Sequence, residues 1–377
     1  MTPPETAPQR IARLAPLSEV YATLDRIAAP VAARWVGIGD AAGRVLASDV
    51  SVEAELPRKP TALRDGWAVS SGLIADAGSY APAPLTEVAW VETGQPLPTY
   101  ADAVLPFEAL TTTGSIHEAI APASPGEGAI PAGADATPGQ PLRRAGEILR
   151  VIDVAALHAA GVTQVEVRSP RVDVISASPG IGEAADIVAP LIASALNGAG
   201  ARARIVRAQG KNGELEQLLV SASADAFVTI GGTGVGHGDR TAHTVAQVGS
   251  VAIHGMGIQP GETAALGQAG RRPVLMLPGR LDAALAVWLL IGSRLLRRLT
   301  SLAERDGFST GTLARKITST IGIADIVLVR RDGSGLEPLA AGHFPLQALT
   351  DADGWVLVPP ESEGYPAGTL VDLRPLP

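Results

Sequence analysis

Glycines are concentrated in one segment, Thr229–Thr241, which reads TIGGTGVGHGDRT. Peptide N–H groups beside glycine can approach a ligand closely because no Cβ atom stands in the way. The segment follows an apolar strand pattern and precedes a helical one, and a helix N-terminus favours an anion. It therefore predicts a cradle for an oxyanion such as phosphate. The same glycines also fit a flexible strand-to-helix turn in which Asp239 only caps the helix, and their spacing matches neither the Walker loop nor the dinucleotide-binding pattern.

A second candidate is the segment LPGRLDAA, in which Pro278, Gly279 and Arg280 follow another strand pattern. A guanidinium group can hold a phosphate through two parallel hydrogen bonds. Arg280 could therefore ion-pair with a phosphate. Taken alone, an arginine of this kind is more often a solvated surface charge, and both interpretations stay open.

The residue types present disfavour several other kinds of catalysis. The chain has no cysteine, which excludes disulfides, thiolate metal sites and thiol nucleophiles. His237 and His243 are six residues apart on either side of a predicted helix start, which is poor spacing for a metal pair. Ser178 lacks the G-x-S-x-G surroundings of a hydrolase nucleophile.

From Pro170 onwards, strand patterns alternate with helical patterns. The predicted strands are RVDVIS, ARARIVRA, DAFVTI and PVLMLP. The predicted helices are Asp186–Asn197, Glu214–Ala222, Thr241–Val248 and Leu281–Leu299. Alternation at this spacing predicts right-handed crossovers and a parallel sheet. Ligands of such sheets bind at the carboxyl ends of the strands, where both candidate loops would lie.

The rest of the chain predicts two further helices and two β-rich regions. Apolar residues repeat at helical spacing in Leu17–Ile27, and Val151–Ala160 also has a helical pattern. Between them lie short strand patterns, such as Glu87–Glu92, separated by turns dense in proline and glycine. We therefore expect a small β domain inserted between two pieces of one unit. Strand patterns return after Arg305 and predict a compact β tail.

Composition limits the class of protein. A chain of 377 residues exceeds one ordinary core and predicts several domains. Its formal net charge of −8 and lack of a basic tail offer little for binding nucleic acid. The longest apolar run, Ala283–Gly292, falls well short of the about 20 residues that span a bilayer, and the N-terminus lacks an apolar signal segment. We therefore expect a cytoplasmic protein with no nucleic-acid or membrane partner.

Five segments, in order along the chain, carry a resemblance to a known family. They are TALRDGWAV at Thr61–Val69, TGQPLPTYADAV at Thr93–Val104, IGGTGVGHGDRT at Ile230–Thr241, LPGRLDAA at Leu277–Ala284, and GWVLVPPESEGYPAG at Gly354–Gly368. Each is similar to a motif of the molybdopterin molybdotransferases, the group of MoeA and the gephyrin E domain. Asp65 lies at a functionally important aspartate of that family. The resemblance covers nearly the whole chain, from about Leu17 to Pro377.

The resemblance implies a multidomain α/β plus β fold. Its parts are a three-layer α/β molybdopterin-binding domain with a parallel sheet, an inserted β-rich domain and a C-terminal β-barrel-like domain. The predicted boundaries are a disordered leader at 1–16, a discontinuous N-terminal linker and dimerisation domain at 17–50 and 140–169, the inserted domain at 51–139, the molybdopterin-binding domain at 170–302, and the C-terminal domain at 303–377.

The resemblance also implies a function in molybdenum cofactor biosynthesis. Proteins of this family bind molybdopterin or adenylylated molybdopterin, hydrolyse the adenylate and insert molybdate with the help of Mg²⁺. They are homodimers in which the loop of the Asp65 type reaches the sheet domain of the other subunit, and molybdoenzymes or other cofactor-biosynthesis proteins are further expected partners. Asp65 and Asp239 are the predicted catalytic residues, and Asp239 is the predicted metal ligand. The predicted substrate-binding residues are Thr93, Gly94, Ser178, Gly231, Gly232, Thr233, Gly236, Asp239, Thr241, Pro278, Gly279 and Arg280.

Several positions depart from the family pattern. Gln209 stands where the family has a cation-binding aspartate, and Ile148 replaces another acid. The positions of three family lysines hold Gly255, Gln259 and Glu262. Magnesium requires hard oxygen ligands, and the molybdate dianion requires positive charge or several donors. Both parts of the metal chemistry are therefore weakened.

These departures leave two hypotheses open. The chain could be a working molybdotransferase in which arginines such as Arg240 and Arg280 replace the missing lysines. Alternatively, it could be a paralogue that binds, carries or sequesters molybdopterin without turnover.

Overall fold

The computed structural model describes residues 9–177, 182–208, 213–221, 223–303, 309–333 and 335–377, with the backbone alone at 182–185. The helices are α1 (Leu17–Ile27), α2 (Val151–Ala159), α3 (Gly182–Gly198), α4 (Glu214–Ser221), α5 (Thr241–Val248), α6 (Leu281–Val287), α7 (Ser293–Thr300) and α8 (Leu346–Asp351). Short 3₁₀ helices are found at Ile38–Asp40, Ser71–Leu73 and Phe107–Ala109.

The strands before α3 are β1 (Arg34–Gly37), β2 (Val45–Leu46), β3 (Val50–Ser51), β4 (Thr61–Ala62), β5 (Gly66–Val69), β6 (Ala83–Leu85), β7 (Ala89–Val91), β8 (Ala103–Leu105), β9 (Leu110–Thr113), β10 (Ile116–Ala119), β11 (Ala129–Ile130), β12 (Pro141–Arg143), β13 (Gln164–Arg168) and β14 (Arg171–Ser176). The later strands are β15 (Arg202–Arg207), β16 (Ala226–Ile230), β17 (Gly249–His254), β18 (Ile258–Gln259), β19 (Ala265–Ala269), β20 (Arg272–Leu277), β21 (Ser309–Thr312), β22 (Ile317–Thr318), β23 (Ala324–Asp332), β24 (Gly335–Ala341), β25 (Gly354–Val358), β26 (Gly364–Tyr365) and β27 (Leu370–Leu373).

The chain divides into two compact units. The first comprises the described residues of Met1–Ser48, Ala145–Val154 and Thr163–Pro377, and the second comprises Asp49–Arg144 and Ala155–Val162. The second unit is thus formed largely by a segment inserted in the first. The finer five-part division given above stays a prediction.

The main sheet of the first unit has the strand order β15-β14-β16-β20-β19-β17. The first four strands run parallel, as predicted. β19 is antiparallel to β20, and β17 is antiparallel to β19, so the sheet is mixed rather than wholly parallel. The sequences of these two antiparallel strands, GSVAIH and ALGQA, are rich in small and polar residues with weak β propensity, which is why sequence analysis missed them.

Different helices cover the two faces of this sheet, which gives three layers. Along β16, Ala226, Val228 and Ile230 belong to one apolar cluster, and Phe227 belongs to another. The first cluster includes residues of α1, α3 and α6, and the second includes residues of α4 and α5. The alternation arises because successive side chains of a strand point to opposite faces. The predicted three-layer α/β arrangement is confirmed.

The long helix predicted at Leu281–Leu299 is interrupted. A five-residue π-helical turn, Trp288–Gly292, separates α6 from α7. A Cβ atom on Gly292 would lie 2.1 Å from Cε3 of Trp288, whose side chain is buried in the first apolar cluster. Glycine is therefore required where the indole passes close to the helix backbone.

The remaining parts of both units are rich in strands. After residue 308, β23 pairs with β24 and β25 on its two sides, and it also pairs in parallel with β18. The short helix α8, which sequence analysis did not predict, follows β24. The second unit contains the strand groups β7-β5-β8, β6-β10-β9, β4-β11 and β3-β12, as expected for the predicted inserted β region. Within the described residues, no helix is both long and apolar enough to cross a membrane.

Candidate functional site

The carboxyl ends of the central parallel strands lie side by side. The N–H group of Gly231, directly after β16, donates to the carbonyl of Leu277 at the end of β20 (2.9 Å). The N–H group of Ala177, directly after β14, donates to the carbonyl of Ile230 (2.9 Å). The glycine-rich loop and the segment after β20 therefore start from the same edge of the sheet, as the topology predicted.

Thr241, the first residue of α5, makes two hydrogen bonds to the start of the glycine-rich loop. The hydroxyl of Thr241 donates to the carbonyl of Gly231 (2.8 Å), and its N–H group donates to the carbonyl of Gly232 (3.0 Å). Gly231 and Gly232 have φ angles of 86° and 71°, a left-handed conformation that glycine adopts without steric cost. Thr241 is 2% exposed, so this predicted substrate-binding side chain lies inside the protein and positions the loop.

Two side chains from distant parts of the sequence bind the next carbonyls. Nε2 of His254 contacts the carbonyl of Thr233 (2.9 Å), which identifies that ring nitrogen as the protonated donor. Nε2 of Gln9 donates to the carbonyls of Gly232 (2.8 Å) and Gly234 (2.7 Å). Each carbonyl of residues 231–234 thus accepts a hydrogen bond.

Unlike these carbonyls, several N–H groups of the same loop are unpaired among the described residues. Those of residues 232–235 have no hydrogen-bond partner in the part of the chain that the structure describes. Gly232 and Thr233 are buried, and an unpaired buried N–H group costs about as much as a lost hydrogen bond. The loop consequently offers donors with no competing acceptors, which suits an anionic ligand.

Asp239 lies against this loop rather than at the helix cap. Its Oδ2 accepts a hydrogen bond from the N–H group of Gly236 (2.9 Å), and the N-cap position of α5 is taken by Arg240, which makes no side-chain capping bond. A Cβ atom on Gly234 would lie 2.7 Å from Oδ2 of Asp239. Gly234 therefore lets the carboxylate fold over the loop.

Arg280 is held by neighbouring protein groups. It donates from Nε and Nη2 to the two carboxylate oxygens of Asp282 (3.1 and 2.6 Å). Nδ1 of His343 lies 2.7 Å from Oδ2 of Asp282. Burial raises the pKa of Asp282, but the hydrogen bonds from Arg280, His343 and the N–H groups of Ala283 and Phe344 together outweigh it and hold the pKa below its ordinary value. Pro278 is buried and Gly279 half-buried between β20 and this ion pair.

The second unit contains the remaining predicted residues. Oδ1 of Asp65 accepts hydrogen bonds from the N–H group (2.7 Å) and the hydroxyl (2.9 Å) of Thr93. These bonds hold the pKa of the exposed Asp65 carboxyl below its usual value, so Asp65 is ionised near neutral pH. Gly94 follows with a φ of 87°, and its N–H group donates to the carbonyl of Ala62 (2.8 Å).

The described residues do not form a metal site by themselves. Among them, no group of three or more His, Asp or Glu side chains could hold a metal ion. Asp239 thus stays a single predicted ligand, and the Glu262 carboxylate is used by the adjacent N–H group of Gly261 (3.0 Å). Ser178 and Gln209 lie outside the described residues.

Sequence reasoning missed Gln9 and His254. Gln9 belongs to the segment predicted as a disordered leader, and its partners are more than 220 residues away in sequence. His254 lies in the unpredicted strand β17. Neither residue belongs to a motif, so a contact across the fold was needed to find them.

A three-layer α/β unit with a donor-rich glycine loop at its carboxyl edge fits the class of proteins that bind a phosphorylated small molecule. Residues 7–161 match the family model of the MoeA N-terminal region (domain I and II), and residues 172–298 match that of a probable molybdopterin binding domain. The chain belongs to the MoeA family of molybdenum cofactor biosynthesis proteins.

Individual relatives agree with this assignment. Molybdopterin molybdenumtransferase 1 of Mycobacterium tuberculosis is 27% identical over 405 residues, which cover 90% of this chain and 93% of that protein. A crystal structure of a molybdopterin biosynthesis MoeA protein from Pyrococcus horikoshii matches with a TM-score of 0.73 at 26% identity and covers 96% of this chain and 98% of its own. A second MoeA structure from that organism, at 21% identity and a TM-score of 0.72, has the same fold.

Proposed function

We propose that this protein is a molybdopterin molybdotransferase that binds adenylylated molybdopterin through its phosphates, releases AMP and inserts molybdate. The observation that carries the proposal is the polarity of the glycine-rich loop. The carbonyls of residues 231–234 are all occupied, and the N–H groups of residues 232–235 have no described partner. Such a loop would bind a phosphate oxygen and would repel a hydrogen-bond donor.

The loop would also assist the reaction. Cleavage of a phosphoanhydride places more negative charge on the oxygens of the departing phosphate, and fixed N–H dipoles stabilise that charge without having to reorganise. Asp239 supports the loop through its bond to Gly236. Asp65, kept ionised by Thr93, stays the second predicted catalytic carboxylate.

Magnesium is expected for the family, and it would neutralise phosphate charge when bound. The described residues offer Asp239 as one carboxylate ligand and no further cluster, so the remaining ligands would have to be substrate phosphates and water. We therefore assign no step to the magnesium ion.

The homodimer, the cytoplasmic location and the five-part domain division are also proposals. Analytical ultracentrifugation of the purified chain tests the dimer.

The experiment incubates purified protein with adenylylated molybdopterin, molybdate and Mg²⁺, and measures AMP release and molybdenum bound to the pterin. We expect both in the wild-type protein, and we expect Asp239→Ala to lower the rate at least about tenfold because one loop-ordering hydrogen bond to a charged group is lost. Asp76→Asn, a change at an exposed carboxylate, is the control. Pterin binding without AMP release would refute the transferase and leave a carrier.

A further inference from the structure

We propose that Gln9 is a positioning residue of the phosphate cradle: its side-chain amide aligns two peptide groups of the glycine-rich loop so that their N–H groups face the ligand. The inference rests on the proposed function and deepens it. It assigns a role in substrate binding to the N-terminal segment, which lies outside the sheet that forms the rest of the cradle.

The alignment follows from two hydrogen bonds made by one atom. Nε2 of Gln9 donates to the carbonyl of Gly232 at 2.8 Å and to the carbonyl of Gly234 at 2.7 Å. A primary amide nitrogen carries two hydrogens, so both bonds form together. The carbonyls of Gly232 and Gly234 therefore both point at the Nε2 atom of Gln9.

Peptide geometry then fixes the direction of two N–H groups. In a planar trans peptide, the N–H bond points opposite to the C=O bond of the preceding residue. The carbonyls of Gly232 and Gly234 point at Gln9, so the N–H groups of Thr233 and Val235 both point away from it. Both belong to the set without a described partner. A single side chain thus orients two peptide groups, each with its N–H group directed away from Gln9.

The segment that carries Gln9 is anchored to the same unit. The N–H group of Ala15 donates to the carbonyl of Gly255 (3.0 Å), and the N–H group of Gly257 donates to the carbonyl of Ala15 (2.8 Å). Gly255 has a φ of 96°, and a Cβ atom there would lie 2.4 Å from Cγ2 of Ile11. Glycine at position 255 leaves room for the N-terminal segment to pack directly against the backbone. This contact fixes where the Gln9 side chain starts.

The oxygen of the Gln9 side-chain amide does not explain how the amide is oriented. Its Oε1 is buried and accepts no hydrogen bond from the described residues. Burying an unpaired acceptor is unfavourable, so the pose is retained in spite of that cost. The two bonds from Nε2 are what orients the amide.

The test uses Gln9→Met, which keeps the length of the side chain and removes both donors. Arg10→Met, at the exposed neighbouring position, is the matched control. Inorganic pyrophosphate, which carries the same phosphoanhydride unit as the adenylate, is titrated into each full-length protein by calorimetry at 0.15 M salt. In parallel, amide ¹H–¹⁵N spectra follow the signals of Thr233 and Val235.

We expect Gln9→Met to weaken pyrophosphate binding about tenfold, as for misdirected hydrogen bonds to a charged group, and to abolish the pyrophosphate-induced shifts of the Thr233 and Val235 amides. Arg10→Met should bind within about twofold of the wild type. Gln9→Met affinity equal to wild type, or unchanged shifts of these two amides, would overturn the role of Gln9 and leave the proposed function standing. A wild-type protein that does not bind pyrophosphate would overturn both.

Discussion

Asp325, at the start of the central strand β23 of the C-terminal region, has a buried carboxyl group whose charged form is disfavoured. It is 5% exposed, and its Oδ1 has no hydrogen-bond partner among the described residues. Burial, helped by the negative charge of Glu262, raises the pKa of Asp325 to about 6. An unfolded aspartate has a pKa of about 3.9. The folded protein therefore binds this proton more tightly than the unfolded chain does.

The sign of the pH effect follows from that difference. Stability from Asp325 is fully present below about pH 4, is lost as the pH rises through about 6, and stays lost above it. Asp325→Asn, which is neutral at every pH, should raise the free energy of unfolding by up to about 3 kcal/mol above pH 6, with the gain shrinking towards pH 4. Urea unfolding at a series of pH values measures it, with Asp76→Asn as control. A gain that does not change with pH would contradict the shifted pKa.

Individual side chains were harder to predict from the sequence than the loop that contains them. The resemblance placed Thr233 and Thr241 among the substrate contacts, but both are 2% exposed. Their hydroxyls contact Thr263 (3.3 Å) and the carbonyl of Gly231. A motif shows which residues recur near a ligand, but it does not show which of them face inward to shape the backbone.

At the scale of elements, amphipathic helices were predicted well because their periodicity is local. Leu17–Ile27 and Thr241–Val248 form helices with the predicted bounds, and the four apolar parallel strands were confirmed. The antiparallel strands β17 and β19 were missed because partners on the sheet, rather than their own residues, make them strands. The π-helical turn was missed because its cause, the Trp288–Gly292 contact, depends on tertiary packing.

That contact makes a prediction for the α6–α7 segment. Gly292→Ala should destabilise the protein by about 1–3 kcal/mol, because its methyl group would overlap the buried Trp288 ring. The matched control is Gly198→Ala at the end of α3, where no atom lies within 4 Å of the new Cβ position. It should be neutral or slightly stabilising, since alanine favours a helix. Chemical denaturation of both variants measures the difference, and equal stabilities would show that the glycine is not needed there.

At the scale of the whole molecule, the family resemblance carried more information than the local patterns. Five short motifs spread over the chain indicated a MoeA-type protein, and the family matches over residues 7–161 and 172–298 confirm that assignment. Contacts between distant segments could not be predicted in this way. The hydrogen bonds from Gln9 join residues 223 and 225 positions apart, and no pattern in the leader signals them.

The central claim is that the peptide N–H groups of the glycine-rich loop bind the phosphate of a pterin substrate. A crystal structure of the protein soaked with molybdopterin tests it most directly. We predict phosphate oxygens within about 3 Å of the peptide nitrogens of residues 232–235, with the carbonyls of the loop still bound by Gln9, His254 and Thr241. A pterin whose phosphate lies at another edge of the sheet, with these N–H groups facing only water, would contradict the account.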